Sequence, residues 1–214
     1  MADTDTGPDA SMARQRHWDG VYNTKTSTGV SWYQDSPRLS LAMIEAAGLR
    51  PDAPLVDVGG GASTLVDGLL GRGFTDVTVL DVAESALVAT RRRLGPLAER
   101  VSWVAADVTR WRSPRPFDLW HDRALFHFLT GQEDRDGYRR ALEHALARDG
   151  QVVMATFAPD GPERCSGLPV VRYGPEALAA ALGAEFSLVE SRHEDHATPA
   201  GVIQKFVYCR FRRR

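Results

Sequence analysis

An α/β fold, with a mostly parallel sheet and helices on both faces, follows from three features of the 214-residue chain. The first is the stretch Leu55 to Asp81. An apolar strand (Leu55, Val56, Val58) carries Asp57 and runs into Gly59-Gly60-Gly61-Ala62-Ser63. A helical pattern (Leu65, Val66, Leu69, Leu70) and a second strand (Val77, Val79, Leu80) ending on Asp81 complete a βαβ unit of nucleotide-binding type. The second feature is a pair of later strand patterns that also run into acids, Val101 to Asp107 and Phe117 to Asp122. The third is the alternation of Phe186 to His193 and Val202 to Phe211 around Thr198-Pro199-Ala200-Gly201, a hairpin that closes the sheet with an antiparallel strand.

Taken from the N-terminus, residues 1–11 are small, polar and acidic and read as a disordered leader. Residues 12–48 form a helical cap. Within it a helix from about Ala13 to Tyr22 carries Trp18 and Tyr22 on one face, a turn-rich stretch leads to Trp32 and Tyr33, and Leu39, Leu41, Ile44 and Ala47 mark a helix that begins near Pro37 and stops at Gly48. Residues 49–214 form the main domain. Beyond Asp81 it continues with a helix Ser85 to Leu94, the two acid-ended strands, a short apolar segment Arg123 to Leu129, an amphipathic helix Gln132 to Ala147 and a strand Val152 to Phe157. The loop Ala158 to Tyr173, with three prolines, two glycines and Cys165, is long enough to act as a lid or specificity loop. A helix Pro175 to Leu182 precedes the final hairpin.

The βαβ unit implies a ligand that bears an adenosine. Glycines let the backbone approach the ligand, the helix behind them offers unpaired N–H groups, and Asp81, about twenty residues on, is placed to accept from both ribose hydroxyls. A dinucleotide fingerprint needs Gly or Ala three residues after Gly61, and Thr64 stands there. The run Val56-Asp57-Val58-Gly59-Gly60-Gly61-Ala62-Ser63 instead resembles motif I of the class I S-adenosylmethionine (SAM) dependent methyltransferases, with Ser63 where many members have a last glycine. The resemblance extends through Asp81, Asp107 and the strand Phe117 to Asp122, which is similar to the family's motif IV. It implies a Rossmann-like sheet of seven strands whose last strand is antiparallel, SAM as cofactor and S-adenosylhomocysteine (SAH) as product. It assigns the cofactor to Asp57, Gly59, Gly60, Gly61, Ser63, Asp81, Val82, Asp107, Val108 and His121. In that family Asp107 lies beside the adenine amino group and the end of motif IV faces the transferred methyl. The opening His17-Trp18-Asp19-Gly20-Val21-Tyr22, with Ser31-Trp32-Tyr33, is similar to the branch that includes lysine methyltransferases of elongation factor and citrate synthase.

Methyl transfer from a sulfonium needs positioning, exclusion of water and, for a protonated acceptor, one base. Side chains alternate along a strand, so only one of His121 and Asp122 faces the cofactor. Asp122 is the expected one, with His127 as the base because an imidazole titrates near neutrality; the competing expectation for His127, between Phe126 and Phe128, is a packed core residue. Tyr22, Trp32, Tyr33, Phe126 and Cys165 are the expected substrate pocket. The family resemblance leaves the acceptor open. A small molecule is expected, with a protein lysine as the alternative and a non-catalytic SAM-binding protein as a second one.

Composition narrows the partners. A net charge of −2 gives no basic excess to neutralise a phosphate backbone, which argues against nucleic acid. Two cysteines, Cys165 and Cys209, without metal-ligand spacing predict no metal site, and the lack of an apolar signal core or spanning stretch predicts a cytoplasmic protein away from the membrane. A nicotinamide oxidoreductase is disfavoured by Thr64 and by the absence of a following substrate domain.

Overall fold

The structure is a computed structural model that describes residues 8–214. Residues 1–7 of the expected leader lie outside the described residues, whereas residues 8–11 belong to the first helix, α1, which begins earlier than expected and spans Pro8–Thr24. α2 (Arg38–Ala46) follows, then β1 (Leu55–Val58), α3 (Leu65–Gly71), β2 (Val77–Asp81), α4 (Glu84–Leu94), β3 (Val101–Ala105) and β4 (Phe117–Arg123). α5 (Gln132–Ala145) leads into β5 (Leu146–Phe157), and the expected loop holds a small hairpin, β6 (Arg164–Cys165) and β7 (Leu168–Pro169). The chain closes with α6 (Pro175–Leu182), β8 (Phe186–Ala197) and β9 (Ile203–Arg213). Among the described residues no helix is long and apolar enough to cross a membrane.

Seven strands form one sheet in the order β3-β2-β1-β4-β5-β9-β8, with β1 to β5 parallel and β9 antiparallel to both β5 and β8. This is the Rossmann-like sheet with an antiparallel last strand that the sequence predicts. The expected end of α5 near Ala147 falls two residues early, because Leu146 already pairs with Phe117 of β4. An irregularity in that pairing and Asp149 at φ 63 then absorb the polar Arg148-Asp149-Gly150 before the buried run resumes.

Parallel strands covered on both faces read as continuous apolar runs, and β1 and β2 are buried at every position. One core layer joins the sheet to α2, α3 and α4 through Leu41, Ile44, Leu65, Leu69 and Leu87; the other joins it to α5 and α6 through Trp120, Tyr138, Leu142 and Leu178. The strand order reverses between β1 and β4, and in open α/β sheets ligands bind outside the carboxyl ends of the strands at such a point.

Candidate active site

The carboxyl ends of β2, β1 and β4 stand side by side at the reversal, Val58 pairing with Leu80 on one flank and with Asp122 on the other. β2 ends on Asp81, β1 on the glycine turn and β4 on Arg123. The turn has the backbone that glycine permits, with φ of +69 at Gly59 and +39 at Gly61. A Cβ at Gly60 would lie 2.5 Å from Asp57 Oδ2, and one at Gly61 would lie 2.8 Å from Asp81 Oδ2. The turn therefore folds directly onto the two acids, leaving a cradle of backbone that any side chain would fill.

Asp57 is buried and shares a 2.7 Å hydrogen bond with His121 Nδ1, while His121 Nε2 meets Ser40 Oγ of α2 at 2.9 Å. This chain fixes the motif acid beneath the turn. Asp81 accepts the Ala83 N–H at 2.8 Å, and burial, reinforced by the charges of Asp57 and Asp19, pushes its carboxyl up to about 7. Above the turn lie two adjoining clefts that share Trp32, Gly59 and Arg123. Asp57, Gly60, Ser63, Tyr33 and His121 line the first; Asp81, Val82, Trp18, Tyr22 and Phe128 line the second.

α1 and the segment after it cover these cavities. Trp18 packs edge-on against Trp32 at 5.8 Å and Phe128 at 4.9 Å between ring centres, and Tyr22 lies 6.1 Å from Trp32. The Tyr22 hydroxyl sits against the glycine turn, 2.9 Å from where a Cβ on Gly61 would lie. Asp19 accepts from the Ser85 N–H at 3.2 Å at the start of α4, where a helix N-terminus suits an anion. Arg14 grips Asp107 through Nε at 3.0 Å and Nη2 at 2.7 Å.

Several expected site residues sit elsewhere. The strand parity is the reverse of the one chosen from sequence: His121 and Arg123 face the cavities, and Asp122 points into the α5 core. There Asp122 Oδ1 accepts the N–H groups of Leu125 at 3.0 Å and Phe126 at 3.4 Å, Oδ2 accepts from Tyr138 OH at 2.7 Å, and Trp120 Nε1 donates to that same hydroxyl at 2.8 Å. Asp122 is thus a structural anchor for the turn after β4. Its fully buried carboxyl is pushed up to about 6 chiefly by burial.

His127 is corrected in the same way. It is fully buried among Phe128, Phe157 and Phe206, its Nδ1 accepts the Phe157 N–H at 3.2 Å, and burial, aided by the nearby Arg123 charge, drives its imidazole down to about 3. The ring lines neither cavity and packs in the apolar core, the competing expectation for this residue. Phe126 packs on Tyr138 and Tyr173 in the α5 layer, and Cys165 is buried in the α2 layer with its Sγ 3.8 Å from Ser31 Oγ, so neither lines the cavities. Asp107 and Val108 also fall outside the lining. Arg14 and Thr109 together engage both Asp107 oxygens and hold its carboxyl below the usual range, and Val108 belongs to the α5 core.

Arg123, Trp18 and Ser40 are the participants that sequence reasoning left out. A signal for Arg123 was present: it shares the strand parity of His121 and closes the strand where the apolar pattern gives way.

Residues 55–150 match the family model described as a methyltransferase domain. Nodulation protein S of Bradyrhizobium diazoefficiens is 27% identical over 143 residues, 63% of this chain and 66% of its own length. EEF1A lysine methyltransferase 2 of Danio rerio is 24% identical over 163 residues, 70% of this chain and 66% of its own length. The chain thus spans just under two thirds of these curated relatives. Among solved structures, the Burkholderia thailandensis 1,6-didemethyltoxoflavin-N1-methyltransferase, crystallised with its substrate and SAH, superposes with a TM-score of 0.67 at 21% identity over 99% of this chain and 93% of that one. The seven-stranded sheet, the glycine turn and the strand-end acids agree with these likenesses: residues 55–150 match a methyltransferase domain, and the fold is similar to that of a SAM-dependent methyltransferase.

Proposed function

We propose that the chain transfers a methyl group from SAM to a small-molecule nucleophile. The observation that carries this reading is the covered cleft at the strand ends, where the glycine turn, Asp81 and the end of β4 converge beneath α1. The residues present fit the cofactor. The cradle at Gly60 and Gly61 has no room for a Cβ, Asp81 retains a carboxylate oxygen for ribose hydroxyls, and Trp18, Tyr22, Trp32 and Phe128 supply an aromatic lining whose ring faces suit a cation. The cofactor supplies an activated methyl, which passes to an acceptor lone pair while the sulfur keeps the electrons of the bond that breaks.

The protein's own work is then positioning and drying. His121 holds Asp57 beneath the turn, Asp81 fixes the adenosine side, and the aromatic wall of α1 excludes water from the end of β4. Neither Asp122 nor His127 reaches the cavities, so in this reading the acceptor loses its proton to solvent beforehand or carries none.

A protein lysine is the second reading, favoured by the EEF1A lysine methyltransferase 2 similarity. Incubation with methyl-labelled SAM and a cell extract split by size separates the two. Label in the metabolite fraction supports the small-molecule reading, label in protein supports the lysine reading, and label in neither, with SAM binding measured, leaves a non-catalytic SAM-binding protein.

A further inference from the structure

Arg123 closes β4 one position beyond the pairing of Val58 with Asp122, and so stands beside Gly59 on the flank away from Asp81. It lines both cavities. A cofactor seated with its ribose at Asp81 and its amino acid end at the glycine turn leaves the Arg123 flank to the acceptor.

The guanidinium is unusually placed for a structural arginine. Its side chain is 9% exposed. Nε donates to Tyr208 OH at 2.8 Å, Nη1 donates to the Trp32 carbonyl at 2.9 Å, and the plane rests 4.6 Å from the centre of the Phe206 ring. Nη2 is buried and has no hydrogen-bond partner. The nearest carboxylate, Glu194, lies 3.7 Å from Nη2, too long for a hydrogen bond, and its oxygens already accept from Gln34 Nε2 at 3.0 and 3.2 Å and from Tyr208 OH at 2.9 Å. Buried charged donors are normally satisfied, and an orphan costs free energy unless a ligand completes it. Two of the three nitrogens are thus fixed by the protein, and the third is left without a hydrogen-bond acceptor on a side chain that lines both cavities.

We propose that Arg123 is an acceptor-anion subsite: its guanidinium binds the negative charge of a small organic anion, a carboxylate, thiolate or phenolate, that is the methyl acceptor. This rests on the SAM reading above. Electrostatics supports it independently of shape. A guanidinium and a sulfonium enclosed in one site repel each other, and an anion between them attracts both. A lysine ammonium in the same place would add a third cation, so the subsite discriminates against the protein-lysine reading. An anionic acceptor also needs no base, which agrees with the removal of Asp122 and His127 from the site.

The test uses the full chain saturated with SAH and titrated by calorimetry with benzoate, benzamide and benzylamine, probes of like shape and different charge, and with 4-nitrothiophenolate. The expected result is that the two anions bind at least about tenfold more tightly than the neutral and cationic probes. R123Q is expected to lose that preference, and R123K to keep part of it, while SAH affinity in both stays within about threefold of the wild type. The wild-type comparison of benzoate with benzamide needs no variant and stands even where R123Q fails to fold. Equal affinities on the wild type, no binding of either anion, a preference for benzylamine, or an R123Q that keeps the anion preference overturns the proposal. So does an R123Q that loses SAH affinity by the same factor as benzoate, which would make Arg123 a holder of the cofactor instead. A wild-type chain that takes no SAH sinks the cofactor reading, whereas a chain that takes SAH and ignores probe charge sinks only this inference.

Discussion

Asp81 caps the turn into α4 by accepting the Ala83 N–H, and its burial near Asp57 and Asp19 holds its carboxyl at about 7 instead of its ordinary 3.8. The folded chain therefore keeps a proton there that the unfolded chain releases. This contribution to stability is complete below the unfolded value and is lost as pH rises from about 4 through about 7. Asp81→Asn keeps an oxygen for Ala83 and removes the charge. Thermal melts are expected to show the variant matching or exceeding the wild type above pH 7, with a flatter pH dependence between 4 and 7; a variant that melts much earlier at every pH would show that the cap dominates over the charge. The ionised carboxylate is the better acceptor for ribose hydroxyls, so wild-type SAM affinity is expected to weaken as pH falls through about 7. Asp122 behaves differently, since its hydrogen bonds to Leu125, Phe126 and Tyr138 hold the turn after β4. Asp122→Ala is expected to cost roughly 2–4 kcal/mol in chemical denaturation because it orphans buried donors; a loss of activity at unchanged stability would return Asp122 to the chemistry.

At the scale of elements, α1 is tied to the sheet edge by Arg14 on Asp107 and Asp134 and by Asp19 on Ser85, and it places Trp18 and Tyr22 over the cavities. SAM is expected to protect the stretch Trp18 to Gln34 from limited proteolysis, and Arg14→Ala to increase cleavage there without ligand. Equal digestion with and without SAM would mean that this stretch does not close over the ligand. Strands β1 to β4 were legible from sequence because each combines a short apolar run with a glycine or acid at or just beyond its end, and the helical face of Trp18 and Tyr22 was legible from their spacing of one turn. The facing of β4 was not. His121, Asp122 and Arg123 are three polar residues in a row with apolar layers on both sides, so alternation alone does not say which layer is the open one. The choice is made by Asp57 on β1, which takes His121, and by Tyr138 on α5, which takes Asp122, and neither contact leaves a periodic mark in the chain. The same holds for Asp107, whose engagement by Arg14 is made across 93 residues of sequence.

For the molecule as a whole, one sheet divides two apolar layers and gathers its chemistry on a single edge, the carboxyl ends of β2, β1 and β4. That arrangement accounts for a cleft built more from backbone and aromatic rings than from titrating side chains. This edge is expected to bind SAM through the glycine cradle and Asp81. Isothermal titration of SAM into the wild-type chain and into Asp81→Asn at pH 8, with melting points measured on the same samples, tests it most directly. Saturable one-to-one binding to the wild type is expected, with at least about a tenfold loss in the variant at equal or higher melting temperature. Equal affinity in the two proteins, or no binding to a folded wild type, would contradict it.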